Sequence, residues 1–566
     1  MTELWSPGFV TCITALLAAG LPYLLRSIVL MCLPLLGLAW VFLTPLGIYG
    51  QFEYGGLSLA LVRLDEWSRI FTIVFLIASF LSVVYSLHIK KSLEAVAGVI
   101  YAGAGVGAVL AGDYLTLFVF CEITAISSLF LIWANPGSAS FRAGLRYVLI
   151  QLFSGALLLV GGALVFKETG QILFDRLDLN SLAGVFVFFA LGIKAAFPFL
   201  HNWLQDAYPE ATPSGTVFLS AFTTKLAIYA LGRTFSGNDY LIWIGAAMTA
   251  FPIFYAVIEN DLRRVLAYSL NNQLGFMVVG IGIGTELAMN GAAAHAFSHI
   301  LYKGLLFMSM GAVLHRVGTC KGSELGGLYK SMPWTTGFCI VGAASISAFP
   351  LFSGFVTKSM ILAAAGYEGH IVVWLVLLFA SAGVFHHSGI KIPYFAFFGH
   401  DSGKRCDEAP LNMLIAMGVS ALLCIGIGIF PNDFYTLLPF TVDYQPYTGW
   451  HVLSQLQLLL FSALAFSVLM WHKIYPPELR STNIDFDITY RKWLPNLVNG
   501  IISVFHRSAI SVHPISSSLR HQGSQFLKIF QPGGGLAKTP STGAVALWVT
   551  GLLGLYLILN LIESKV

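Results

Sequence analysis

The sequence predicts an all-α polytopic membrane protein, and three observations carry that expectation. Charged residues make up 10% of the 566 residues and hydrophobic ones 57%, whereas soluble domains average about 25% charged. Apolar stretches long enough to cross a bilayer, about 20 residues each, recur along the whole length. The basic residues between those stretches alternate in density, as loops on opposite sides of a membrane do.

The stretches fall at 8–25, 28–48, 69–89, 95–111, 114–134, 143–166, 182–200, 213–233, 240–258, 264–284, 289–314, 334–364, 370–392, 410–430, 451–472 and 542–562. That is about sixteen transmembrane helices. The first reads as a retained helix, since no charged segment or small-residue cleavage site accompanies it. The stretch 334–364 contains Pro350 and Gly354, which predicts an interrupted helix. Odd-numbered loops carry Arg26, Lys90, Lys91, Arg142, Arg146, Arg263, Arg264, Arg316, Lys321, Lys330, Lys404 and Arg405. Even-numbered loops carry chiefly Arg63, Lys167, Arg176 and Arg233. The positive-inside rule then places the N-terminus outside and the odd loops in the cytoplasm, in the inner membrane of the cell.

Five segments follow: N-terminal helices at 1–94, a core at 95–393, further core helices at 394–472, a polar basic segment at 473–541 and a last helix at 542–566. In the basic segment, Trp493, Leu494, Leu497, Val498, Ile501, Ile502 and Phe505 recur at helical spacing. This fits an amphipathic helix lying on the cytoplasmic face and equally a flexible linker.

Seven cysteines stand singly with no C-x-x-C pair, so no metal or cluster framework is expected and no cofactor is called for. The net charge of +4 is too small to indicate nucleic acid.

An ionisable group at the centre of a spanning helix costs about 2.5–3.5 kcal/mol even on the lenient insertion scale. The exceptions to that penalty are therefore candidates: Glu122, Lys194, Lys225, His295, His299, Lys303 and Lys358. Lys194 stands four residues before Pro198, which frees backbone carbonyls. His295, His299 and Lys303 follow at i, i+4 and i+8, along one stripe of a helix. Only one intramembrane acid is available to pair several lysines, and an unpaired lysine in a low dielectric gives up its proton readily. Histidine titrates near neutrality. Together these groups read as a proton relay; for any one of them alone, a structural ion pair is the competing explanation. A possible extension of the path takes in Asp113, His386, His387, Lys391 and His400, with helix capping or a wet helix end as the competing reading. Glu259, Asp261, Arg263 and Arg264 read as a solvated cytoplasmic loop, and His201 and His315 as interfacial.

GIKAAFPFLHNWLQDAYPEATPSGTVFLSAFTTKLAIYAL, followed in order by DLRRVLAYSLNNQLGFM, HAFSHILYKGLLFMSMGAVLH and SAFPLFSGFVTKSMIL, resembles the antiporter-like subunits of respiratory complex I, membrane hydrogenases and Mrp-type antiporters. The D-type subunit of the Mrp sodium/proton antiporters is the most similar branch, and residues 95–370 carry the resemblance. It implies two inverted five-helix repeats, each with a discontinuous helix, here those of Lys194 and Lys358. It implies that Glu122 pairs with Lys194, that Lys225 bridges to His299 and Lys303, and that Lys358 is terminal. The implied function is that of a proton-translocating subunit of a multisubunit sodium/proton antiporter, a transporter rather than an enzyme, with H+, Na+, other subunits and the lipid bilayer as partners. The alternatives are a proton-pumping subunit of a redox complex or of an inorganic-carbon uptake complex. Two departures stand out. Ser359 and Met360 follow Lys358 where many relatives have an acid, and the C-terminal extension is longer than in a minimal D-type subunit, resembling a short lateral helix.

Overall fold

The computed structural model describes residues 6–479 and 483–511, and the stretch expected at 542–562 lies outside them. The chain divides into two units, residues 1–483 and 484–566.

In the first unit, helices follow almost every apolar stretch. They begin with α1 (Pro7–Ala18), α2 (Tyr23–Leu43), α3 (Glu66–Ser86), α4 (Ser92–Leu110), α5 (Tyr114–Trp133) and α6 (Ser138–Thr169). Next come α7 (Leu182–Lys194), α8 (Asn202–Ala207), α9 (Pro213–Ala221), α10 (Thr223–Phe235), α11 (Asp239–Ile258), α12 (Leu262–Ile283) and α13 (Glu286–Val317). The unit continues with α14 (Pro333–Ile346), α15 (Ser353–Tyr367), α16 (Ile371–Val384), the single turn α17 (Lys391–Pro393), α18 (Leu411–Ile429), α19 (Pro431–Tyr435) and α20 (Gly449–Trp471). Among the described residues, eleven helices are long and apolar enough to cross a membrane, α9 with α10 and α16 with its continuation each counted as one. The other expected stretches are a short helix (α1), two interrupted ones (α7–α8 and α14–α15), and α12, whose middle carries Asn271, Asn272 and Gln273.

The sequence punctuates these helices at both ends. Asp65 caps α3 in a reciprocal box with Ser68, and Thr212 precedes Pro213 at the start of α9, satisfying backbone N–H groups that have no partner within the helix. Gly170, Gly284 and Gly318 end α6, α12 and α13 in the left-handed region, which glycine enters without a side-chain clash.

Between α2 and α3 the chain forms a feature that apolar windows do not register. Strands β1 (Gly47–Tyr54) and β2 (Leu57–Leu64) pair antiparallel, with Gly47 opposite Leu64 and Tyr54 opposite Leu57. Gly55 and Gly56 both take positive φ at the turn, as a two-residue hairpin whose twist matches its strands requires.

Contacts gather the basic loops at one end. Arg26 reaches the Lys90 carbonyl, Arg146 grips Asp206 through two hydrogen bonds, Arg263 reaches the Pro209 carbonyl and Arg316 reaches that of Glu408. Arg63 and Arg233 meet on Asp65 instead. The expected solvated loop is corrected in part: Glu259 and Arg263 are buried. Arg263 donates to the carbonyls of Pro209 and Ala211, and Glu259 accepts from the N–H groups of Asn260 and Asp261. Short loops bury charge when backbone groups are there to bind it. His201, expected at an interface, is buried as well.

The second unit contains α21 (Leu494–Ser511), within the basic segment of helical spacing. Its Trp493, Leu494, Leu497, Val498, Ile501 and Ile502 side chains are exposed.

Candidate functional site

α7 stops at Lys194 because the next residues cannot continue a helix. Ala196 and Phe199 take φ of 60° and 70°, Pro198 lacks an N–H, and the Phe197 N–H reaches back to the Gly192 carbonyl at 3.0 Å. A non-glycine residue in this region costs about 1–2 kcal/mol, so the surroundings must hold it there. The Trp203 indole does so in part, donating to the Ile193 carbonyl at 2.9 Å.

Lys194 is buried, and its Nζ donates to Gln151 Oε1 on α6 at 3.2 Å. One turn further along α6, Gly155 leaves the space in which Glu122 of α5 sits; a Cβ there would collide with Glu122 Oε1. That oxygen is buried without a hydrogen-bond partner among the described residues, and the charge of Lys194 acts on its carboxylate. Glu122 and Lys194 are therefore brought together electrostatically, with Gln151 as the lysine's hydrogen-bonding partner.

A second irregularity separates α9 from α10 at Phe222. It exposes the Ser220 carbonyl, to which Lys225 Nζ donates at 2.5 Å. On α13, His295, His299 and Lys303 are all fully buried. The charges of Lys225, Lys303, His295 and Lys358 all act on His299. Neither ring nitrogen of His299 nor the Lys303 ammonium has a hydrogen-bond partner among the described residues. His295 is tied at both nitrogens, to Gln273 Oε1 on α12 and to Thr357 Oγ1 on α15, each at 3.2 Å. Tyr302 donates to the same Gln273 oxygen at 3.0 Å.

Thr357 leads to the other broken helix. α14 ends at Ile346, Ala348 and Leu351 take φ of 56° and 74°, and Phe349 N–H reaches the Ala344 carbonyl at 3.0 Å. Lys358 Nζ donates to the freed Ile346 carbonyl at 2.9 Å and faces the Phe276 ring. The seven candidate relay residues thus lie on α5, α7, α10, α13 and α15, with neutral side chains touching two of them, Gln151 at Lys194 and Gln273 and Thr357 at His295.

The extension residues scatter. Asp113 is a helix cap: its carboxylate accepts from the Thr116 N–H and hydroxyl and from the Ala60 N–H of β2. His400 stands on an exposed loop. His386 stacks on Tyr475, while His387 and Lys391 are buried. Sequence reasoning missed Gln151, Gln273 and Thr357; a lone amide in an apolar run, as Gln151 is, was the available signal.

A family model described as NADH:quinone oxidoreductase/Mrp antiporter, transmembrane, matches residues 111–385, the span that holds all seven relay positions. The N-type subunit of an NADH-quinone oxidoreductase from Desulforudis audaxviator is 33% identical over 56% of this chain and 70% of its own length. The chain belongs to this family. Within the NADH:quinone oxidoreductase/Mrp antiporter family, the D-type subunit of a Na(+)/H(+) antiporter from Alkalihalophilus pseudofirmus is 34% identical over 54% of this chain and 65% of its own. Against three of the curated relatives it matches, the chain spans 63%, 65% and 53% of their lengths. The fold is also that of a chain in the Mrp complex from Dietzia sp. DQ12-45-1b, with a TM-score of 0.69, 20% identity, and coverage of 84% of this chain and 98% of that one.

Proposed function

We propose that this chain is the proton-translocating subunit of a multisubunit sodium/proton antiporter, a transporter subunit and not an enzyme, set in the inner membrane with its N-terminus outside. One observation carries the reading: titratable side chains run inside the bundle in two interacting groups, the half-buried Glu122 under the charge of Lys194, and the buried His299 under the charges of Lys225, Lys303, His295 and Lys358. A proton arriving at one member changes the charge felt by the next, so each lysine alternates between holding and releasing its proton. Gln151, Gln273 and Thr357 orient the carriers without adding charge. The resemblance to the Alkalihalophilus antiporter subunit supports sodium as the exchanged cation.

The likeness to the Desulforudis oxidoreductase subunit, which extends over more of that relative's length, favours a second reading, in which a redox partner drives the same relay. Sodium-dependent dissipation of a pH gradient, measured in everted vesicles with and without the candidate partner subunits, separates the two. The antiporter reading expects sodium to collapse the gradient only when the partners are present. A gradient indifferent to sodium, but built on adding a reductant and quinone, replaces it with the redox reading.

A further inference from the structure

The basic end of the bundle holds a buried ion pair that the relay described above does not use. Beyond Val384 the chain continues in π-helical turns over Phe385–Ile390 and Tyr394–Phe398, with Lys391 opening the single α turn between them. Such widened turns concentrate at functional sites. Lys391 Nζ lies 2.9 Å from Glu478 Oε1, with side chains 0% and 6% exposed. The same ammonium donates to the carbonyls of Val257 and Glu259 at the end of α11, both at 2.7 Å. Glu478 belongs to the C-terminal extension, outside the family-matched residues. Tyr475, stacked on His386, and Asn483, donating to Glu259 Oε2, hold its stretch against the core.

An anchor alone does not call for this chemistry. Burying two charges costs several kcal/mol per ion, and a glutamine would accept from Lys391 without that cost. Inward of the pair, His387 is fully buried; its Nδ1 meets Ser388 Oγ at 2.9 Å, which donates to Ser269 Oγ on α12 at 2.7 Å. His387 Nε2 is buried with no hydrogen-bond partner among the described residues. The charges of Lys303, His386, Lys391 and Lys358 act on His387, and those of Glu478 and Glu259 act on Lys391.

We propose that Lys391 and Glu478 form the proton-loading pair at this end of the chain, so that the C-terminal extension supplies a working carboxylate to the relay. A proton from water binds Glu478, and the Lys391 ammonium, freed from its counter-ion, passes one proton inward to His387. One O–H bond of a hydronium ion breaks as one forms on Glu478, leaving water, and one N–H bond breaks on Lys391 as one forms on His387 Nε2. Transfer of the Glu478 proton across to Lys391 then restores the charged pair.

This inference rests on the relay reading, and the experiment separates their failures. Glu478→Gln, Glu478→Asp and Lys194→Ala are compared in the assembled complex, by exchange rate and by the infrared carboxylic-acid band of the reconstituted protein as pH is lowered. Glu478→Gln is expected to lower the exchange rate at least about tenfold with normal insertion and to remove a carboxylic-acid band, while Glu478→Asp restores much of both. A wild-type rate or an unchanged spectrum in Glu478→Gln, beside an inactive Lys194→Ala, overturns the loading pair alone. An active Lys194→Ala overturns the relay. If the wild-type complex exchanges no sodium, the infrared band decides by itself whether Glu478 takes up a proton.

Discussion

The two broken helices share one backbone device and put a lysine to opposite use. Each carries Ala-Phe-Pro, with the alanine and the residue after the proline at positive φ and the phenylalanine N–H bonded five residues back. At the first break the lysine precedes the interruption. Lys194 is the last residue of α7, where the carbonyl end of the helix favours a cation, and its partner is an amide with a carboxylate in electrostatic reach. At the second break the lysine follows: Lys358 reaches back to the carbonyl of Ile346, and Ser359 and Met360 stand next to it in sequence. At the first break the Ile193 carbonyl accepts from the Ala196 N–H and from a neutral indole, whereas at the second the Ile346 carbonyl accepts from the lysine itself. The same irregularity therefore leaves one lysine to bond a side chain on another helix and the other to bond the backbone of the break itself.

That contrast is broken most directly by removing the lysines. Lys194→Ala is expected to abolish sodium-dependent pH-gradient dissipation while leaving insertion near wild type, with a smaller loss of stability than at the second break because the Gln151 amide it leaves can turn on its side chain. Lys358→Ala is expected to abolish exchange and also to destabilise the chain by about 1–3 kcal/mol, because a buried carbonyl loses its donor. Exchange rates and thermal unfolding of both variants in vesicles test the pair; equal stability losses would erase the distinction between the breaks.

The next effect is smaller and acts on the first break alone. Gly155→Ala would place a methyl group on Glu122 Oε1 and so push the carboxylate away from Lys194. The expected result is a fall in exchange of about tenfold, the low end of what misplacing a proton-transfer group costs. A wild-type rate would mean that the position of Glu122 is immaterial.

Much of this arrangement is legible in the sequence, because charge in an apolar run is conspicuous. The stripe of His295, His299 and Lys303 follows from helical spacing, and the second break from Pro350 and Gly354. The groups that are not legible are those whose meaning depends on a distant partner. Gln151 is an ordinary amide until Lys194 meets it, and Glu478 is one polar residue in a basic segment read as an amphipathic helix or a flexible linker. The β1–β2 hairpin escapes for another reason: its strands are too short and too mixed in polarity for a membrane-length window. Arg263 reads as solvated in the sequence because the carbonyls that bind it come from a different loop.

Thr357→Val tests how the middle of the relay is joined to the second break. It removes the hydroxyl that meets His295 Nδ1 while conserving shape. The ring then keeps its Gln273 and Tyr302 partners at Nε2 alone, so exchange is expected to fall a few-fold, roughly the loss of about 1 kcal/mol of one hydrogen bond. An effect as large as that of Lys358→Ala would make Thr357 part of the conducting path rather than an orienting group.

The smallest transport effect is expected at Trp203, the neutral counterpart of Lys358. Trp203→Phe removes the indole N–H from the Ile193 carbonyl and retains most of the buried ring. Stability should fall by about 1 kcal/mol, the loss of one hydrogen bond, because the Ala196 N–H still serves the Ile193 carbonyl, while exchange per inserted molecule stays within a few-fold of wild type. Lys194 hydrogen-bonds Gln151 on another helix, so slight fraying of α7 leaves its hydrogen-bond partner in place. Measured beside Lys358→Ala, this variant separates the mechanical cost of losing one side-chain hydrogen bond at a break from the loss of the proposed proton carrier. If Trp203→Phe also stopped exchange, the backbone of the break would itself be the element on which transport depends.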